Sequence, residues 1–166
     1  MLYSEIDRAQ VTAELKKRRW LVILPSLLLL ALAIATFVWF RLHRNENGWG
    51  WTALITVLSG SYFIFFYEVY LRPVSQYHKH VGYMLDGRKR ETFGLLKSID
   101  LTALDKDGLD CLSFTLNVGE KDSPEDDRLF YVDALKAIPE IPVGTRIKVL
   151  SNDRMVASLE PALKET

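Results

Sequence analysis

Three stretches of this sequence group residues of the kind that bind metals or move protons. Asp105-Lys106-Asp107-Gly108-Leu109-Asp110 spaces its carboxylates like part of a calcium loop. Its glycine comes too early and no glutamate closes the loop, so it reads as a hairpin turn around Asp107-Gly108. Farther on, the acids Glu120, Asp122, Glu125, Asp126 and Asp127 could attract a divalent cation or a basic partner protein. Ser123-Pro124 gives that segment no rigid ligand geometry, and a solvated loop is the expectation. His78-Lys79-His80 supplies two imidazoles without an evident third ligand. Cys111 is the only cysteine, so no internal disulfide can form, which suits a reducing compartment. No nucleophile elbow, phosphate loop, cysteine pair or Ser/His/Asp order occurs. The expectation is therefore no catalytic residue, no metal and no cofactor.

The elements that carry these residues begin in a bilayer. Trp20 to Phe40 is a 21-residue run without charge, and at about 1.5 Å per residue it matches the roughly 30 Å hydrocarbon thickness. A second run extends from Trp49 through Tyr67 and past Glu68 to Leu71. The polar link between them is short, so spans 20–41 and 49–71 form an antiparallel hairpin. All four tryptophans, with Tyr67 and Tyr70, fall at span ends, where aromatic rings favour the headgroup layer. Lys and Arg number five in residues 1–19, five in 72–90 and two in the connecting loop near Asn45, which sets both termini on the cytoplasmic side. A cleaved signal peptide competes, because Ala33-Ile34-Ala35 resembles a cleavage site; the long acid-containing n-region, Pro25 and the continuing Phe37-Val38-Trp39-Phe40 argue against it.

Inside the hairpin, small residues four apart (Ala31 and Ala35; Thr52, Thr56 and Gly60) are candidates for close helix packing. Glu68 is the one acid within a span, and an antiparallel register brings it near Arg18 and Arg19 as a candidate interfacial ion pair. Ahead of the first span, Ser4 and Asp7 form a capping-box-like start to an amphipathic helix over 1–19, which enters the membrane directly or lies on its surface; the alternative is a solvated lead-in that orders only near lipid. After the second span, Pro73, the apolar row Val74, Tyr77, Val81, Leu85 and the cap Gly87 favour an amphipathic helix within 72–90. Alternation at Val81, Tyr83 and Leu85 also permits a strand.

From residue 91 to 166 the period becomes two. Leu112, Phe114, Leu116 and Val118 alternate with Cys111, Ser113, Thr115 and Asn117, marking a strand with one buried face. Strands over 92–101, 129–132, 146–150 and 155–159, with a helical turn from Asp133 to Ile138, complete three strands, a turn and two strands. Leu112, Phe114, Leu116, Val132, Ile147 and Val149 are the expected core. The fold class is an α+β membrane protein: a two-helix transmembrane hairpin plus a small cytoplasmic β-barrel, OB-like or SH3-like. A small barrel tethered behind membrane spans is broadly similar to the architecture of NfeD-type proteins, although no motif here carries a family assignment.

Charge is segregated along the chain. Residues 1–90 hold twelve Lys/Arg against six Asp/Glu, a balance of +6, and residues 91–166 hold nine against fifteen, a balance of −6. A basic half beside anionic lipid and an acidic half held away from it suit this arrangement, and the acidic half argues against nucleic acid. The expected partners are the lipid bilayer and a membrane or cytoplasmic protein, with further copies of the chain possible in the membrane. The functional expectation is an interaction or accessory protein of the bacterial inner (plasma) membrane that displays its β domain to a cytoplasmic partner. The alternative is a regulatory subunit of a transporter or membrane-protease complex.

Overall fold

The computed structural model describes residues 1–43, 48–119 and 123–162. In chain order the elements are α1 (Glu5–Leu42), α2 (Gly48–Phe66), a π-helical turn (Tyr67–Leu71), α3 (Arg72–Asp86), β1 (Arg90–Lys106), β2 (Leu109–Asn117), a 3₁₀ turn (Pro124–Asp126), β3 (Asp127–Asp133), β4 (Arg146–Asn152) and β5 (Met155–Pro161). Two apolar helices long enough to cross a membrane and a five-stranded sheet make the chain α+β. It divides into two compact units, Val11–Ser75 and Met1–Gln10 with Gln76–Thr166. The unit holding the sheet thus includes the first ten residues and 76–90, which the sequence pattern had suggested were separate segments.

In the helical unit, α1 passes through Pro25 unbroken. Proline has no N–H for the carbonyl four residues back. That carbonyl, Leu21 O, instead accepts the Tyr62 hydroxyl at 3.4 Å. At the other proline, the wide turn at Tyr67–Leu71 absorbs the strain: the Arg72 N–H bonds Tyr67 O, five residues back, one position before Pro73. The helix therefore continues into α3, and Pro73 does not start a new one as its position suggested. Along α1 the better-covered Val22, Ser26, Leu29, Ala33, Thr36 and Phe40, and along α2 Gly48, Thr52, Ile55, Ser59, Tyr62 and Phe66, recur in alternating steps of four and three. That is the spacing of a coiled-coil seam. A Cβ on Gly48 would overlap the Phe40 ring, so the Phe40 side chain fills the space that glycine leaves there.

In the other unit, β1 pairs with β4 over Arg90–Leu95 and with β2 from Leu95 onward. Two register shifts, at Leu96/Ser98 and Asp100/Leu104, bend this 17-residue strand so that it serves both neighbours. Gly94 lies where the partner changes, and a Cβ there would strike the Asn117 carbonyl and the Leu116 side chain. The strand order is β1-β2-β3-β5-β4, with β4 returning to β1. β3 and β5 meet through one parallel pair, Tyr131 with Met155. The core gathers Leu96, Phe114, Leu116, Phe130, Val132, Ile141, Ile147, Val149, Val156 and Leu159. Phe114 stacks on Phe130 with centroids 5.6 Å apart. Of the expected core only Leu112 is half-exposed.

The expected helical turn from Asp133 to Ile138 is a tight turn at Ala134–Leu135 followed by extended chain. Pro139 and Pro142 disfavour helical backbone at Ile138 and Ile141, and Ile141 drops into the core instead. The N-terminal segment lies on β5, where Leu2 N donates to Ala157 O at 2.9 Å. Ser4 and Asp7 form the capping box, Ser4 N donating to Asp7 Oδ2 at 2.7 Å and Asp7 N to Ser4 Oγ at 3.3 Å. α3 buries His80, Val81 and Met84 and ends with Gly87 N on Tyr83 O. The strand alternative for 81–85 is thereby excluded.

Candidate functional site

Where β3 ends, Asp133 pairs with Cys111 of β2, so the two side chains share one face of the sheet. Asp133 is 2 % exposed, and a buried carboxylate is costly unless donors surround it. Its Oδ2 accepts the Tyr77 hydroxyl at 2.8 Å and stands 3.4 Å from the Tyr3 hydroxyl oxygen, and its Oδ1 accepts Leu135 N at 2.9 Å. Tyr3 also meets His80, hydroxyl to Nε2, at 2.8 Å, with the two rings edge to face. One carboxylate therefore joins the N-terminal segment, α3 and the sheet. Among the described residues, no buried side-chain polar atom lacks a partner.

Burial, reinforced by Asp133, pushes the Tyr3 and Tyr77 phenols up, so both remain proton donors. Burial pushes His80 down; Asp133 opposes this and Lys106 adds to it, which keeps the imidazole neutral at neutral pH. Burial and then Asp133 push the Cys111 thiol up to about 11, so it is a protonated packing group and not a nucleophile.

Beside this cluster lies a pocket of about 350 Å³ between α3 and the β1–β2 and β4–β5 turns, with His80, Tyr83, Met84, Lys106, Asp153 and Met155 on its walls. Both turns use left-handed backbone, at Asp107 (φ 57°) and Gly108 (φ 78°), and at Asp153 (φ 45°) and Arg154 (φ 67°). Arg154 is the unusual one, since glycine and aspartate adopt this backbone more readily; its carbonyl accepts Tyr131 N at 2.9 Å and so helps join β3 to β5. Lys106 ties the two turns together, with Nζ 3.1 Å from Asp153 O and 4.3 Å over the Tyr131 ring.

The residues singled out from sequence are dispersed. Ala31, Ala35, Thr56 and Gly60 are exposed, and of the expected packing set only Thr52 lies in the seam. Ala33 and Ser59 do the packing; residues two apart stand about 200° apart around a helix, so the row through Ala31 and Ala35 faces away. The expected pairing of Glu68 with Arg18 or Arg19 is replaced: Glu68 pairs with Arg72 one turn on. Arg18 takes Glu14 at 2.8 Å and lies over the Tyr70 ring, with Nη1 donating to Tyr70 O at 3.3 Å. In the acidic stretch, Glu120 and Asp122 lie outside the described residues, as does Asn45. Glu125 is exposed within an ordered 3₁₀ turn; Asp127 is held by Asn117 Nδ2 at 2.6 Å and Lys97 at 3.4 Å, and Val118 N bonds Asp126 O. From Ser123 to Asp127 this stretch is held in place and not simply solvated, because Asn117 Nδ2 also anchors Ser123 O at 2.7 Å. Asp105–Asp110 is the hairpin turn expected, with Gly108 N on Asp105 Oδ1 at 3.0 Å. Among the described residues, no three His, Cys, Asp or Glu gather into a metal-binding group.

Sequence reasoning missed the cluster itself. Asp133 was legible as a cap, and Tyr77 and His80 stand three apart on one helix face, but nothing local announces that Tyr3 reaches them. Comparison of the chain with protein-family models, curated proteins and solved structures finds no match.

Proposed function

We propose that this chain is a two-pass membrane-anchored interaction protein that holds a small acidic α+β unit at the cytoplasmic face of a bacterial inner membrane for a protein partner. The carrying observation is the bareness of the two long helices: only 11 % of each apolar stretch is buried within the molecule. The core helix of a soluble protein is mostly covered, and apolar surface left in water costs roughly 25 cal/mol per Å². A bilayer supplies the missing cover.

Two further observations support the topology. Residues before the first span and after the second belong to one folded unit, and an even number of crossings returns them to the same side. The excess of Lys and Arg on both outer flanks makes that side cytoplasmic. For the sheet we favour the OB type over the SH3 type. The order β1-β2-β3-β5-β4, a long bulged β1 shared between two partners and a parallel β3–β5 contact support that assignment. On it, α3 packs against the β1–β2 and β4–β5 turns that such folds use to hold ligands, so contact with a partner falls to other surfaces, the acidic turn near Glu125 among them.

A second reading, a regulatory subunit of a transporter or membrane-protease complex, is favoured by one observation: the small residues Ala31, Ala35, Thr56 and Gly60 face outward, where other helices could pack closely. Purification of the full chain from native membranes in mild detergent separates the readings. Under the first, a partner co-elutes and is lost when Glu120, Asp122 and Glu125 are changed together to Gln. Under the second, that triple variant retains the partner, and Ala35→Leu with Gly60→Leu loses it. A chain released into the soluble fraction by alkaline carbonate would contradict both.

A further inference from the structure

His80 stands between two environments. Its Nε2 belongs to the Asp133 cluster through Tyr3, at 2.8 Å, while its ring forms part of the pocket wall. The segment on the far side of that contact lies along β5, where Leu2 N–H donates to Ala157 O two residues beyond the one pair joining β5 to β3. Tyr3, 4 % exposed, is the side chain that this segment inserts into the cluster. We propose that the His80–Tyr3 contact is a proton-gated clasp: a neutral His80 holds the N-terminal segment against β5, and a His80 protonated from the pocket releases it. The inference is independent of the membrane reading.

The hydrogen-bond inventory gives the reason. Tyr3 Oη lies 2.8 Å from Nε2 and 3.4 Å from Asp133 Oδ2, so the geometry assigns its one proton to the shorter contact: neutral His80 is the Nδ1–H tautomer and accepts the Tyr3 O–H at Nε2. Once both ring nitrogens carry protons, Nε2 can only donate, and the Tyr3 hydroxyl must turn its own proton to Asp133 Oδ2, 3.4 Å away and already holding the Tyr77 hydroxyl at 2.8 Å. The new cation sits in a largely water-excluded place. Lys106 from β1, Lys79 on its own helix and Lys136, 5.2 Å from the Tyr3 ring, stand around it as like charges. Asp133, Asp107 and Asp153 attract it, and Tyr77 and Cys111 stay neutral. Relief lies in turning the imidazole into the pocket, where water hydrates the charge, and that movement abandons Tyr3.

The test is hydrogen exchange of the Leu2–Tyr3 backbone in the full chain in detergent, corrected for the intrinsic pH dependence of exchange. Protection is expected to fall severalfold, to a limit of about tenfold for one proton, between pH 7.5 and 5.5, because the released imidazole regains the ordinary value of about 6.5 while the clasped one lies below it. The Asp7–Lys136 ion pair is unchanged across that window, because its carboxylate lies below it. His80→Gln, whose Oε1 stands about where Nε2 does and which accepts a hydrogen bond without titrating, should keep protection high at both pH values. If that variant fails to fold, Tyr3→Phe decides: protection should be low at both pH values. Constant protection in the unmodified chain, the same fall in His80→Gln, or a protected and pH-dependent Leu2 in Tyr3→Phe would each overturn the clasp.

Discussion

Asp133 and Phe114 show two ways in which a single side chain holds the sheet unit. Replacing Asp133 with Ala strands the Tyr77 hydroxyl and Leu135 N–H, and should cost about 3 kcal/mol, since buried donors left without partners cost roughly 1–3 kcal/mol each and relax in part. Phe114→Ala should cost about 3–5 kcal/mol and half-buried Thr115→Ala less than about 1 kcal/mol. Denaturant unfolding of the full chain in detergent, followed through exchange of β-strand amides, measures all three. Acid should also weaken this unit. The folded-state values of His80 and Asp7 are both depressed, the first by burial and the second by its hydrogen bond to Lys136. Below a pH of about 6.5 the unfolded chain binds a proton at His80 that the folded chain refuses, so stability should decline there, and again as pH falls through the carboxylate range. Stability that stays flat from pH 7.5 to 5.5 would contradict the His80 part. Alternation revealed Phe114 and Leu116, because the core face of β2 is continuous. It could not reveal that Cys111, Ser113 and Asn117 on the opposite face are also buried. Cys111 shares its face with Asp133, where Tyr3 and Tyr77 arrive from distant sequence, and Asn117 is covered by the turn it anchors.

Long uncharged apolar runs located the two helices and a period of two located the strand region, since each signal lies within one stretch of sequence. Helix rotation was less legible. Small residues at a spacing of four occur on more than one row, and only the partner helix selects Ala33 and Ser59 over Ala31, Ala35 and Gly60. The seam therefore makes a sharp forecast: Gly48→Val, which drives a side chain into Phe40, should destabilise the hairpin by about 1–3 kcal/mol, while Gly60→Ala, with open space beside it, should change little. Resistance to unfolding in detergent, read from the tryptophans at the span ends, ranks the two variants. Equal effects would mean that the helices meet on another face. The prolines were misread for a related reason. A proline usually marks a boundary, but Tyr62 compensates Pro25 and the π turn precedes Pro73, and neither device leaves a local signal.

At the scale of the molecule, the sequence divides by composition and the structure divides by contact. Charge and hydropathy suggest a boundary at each end of the spans, whereas the folded unit gathers 1–10 with 76–166. That union comes from Leu2 on Ala157, Tyr3 on His80, Asp7 on Lys136 and Arg8 on Asp86. No composition window can show contacts between residues so far apart in sequence. They also bear on the central claim, that two membrane-crossing helices return both flanks of the chain to one cytoplasmic folded unit. Single cysteines at Glu5, His43 and Glu140 in a Cys111→Ser background, exposed to a membrane-impermeant thiol reagent in intact cells, measure it most directly. The account predicts labelling at position 43 alone, with 5 and 140 reacting only after the membrane is opened. Labelling of 5 or 140 in intact cells would contradict it.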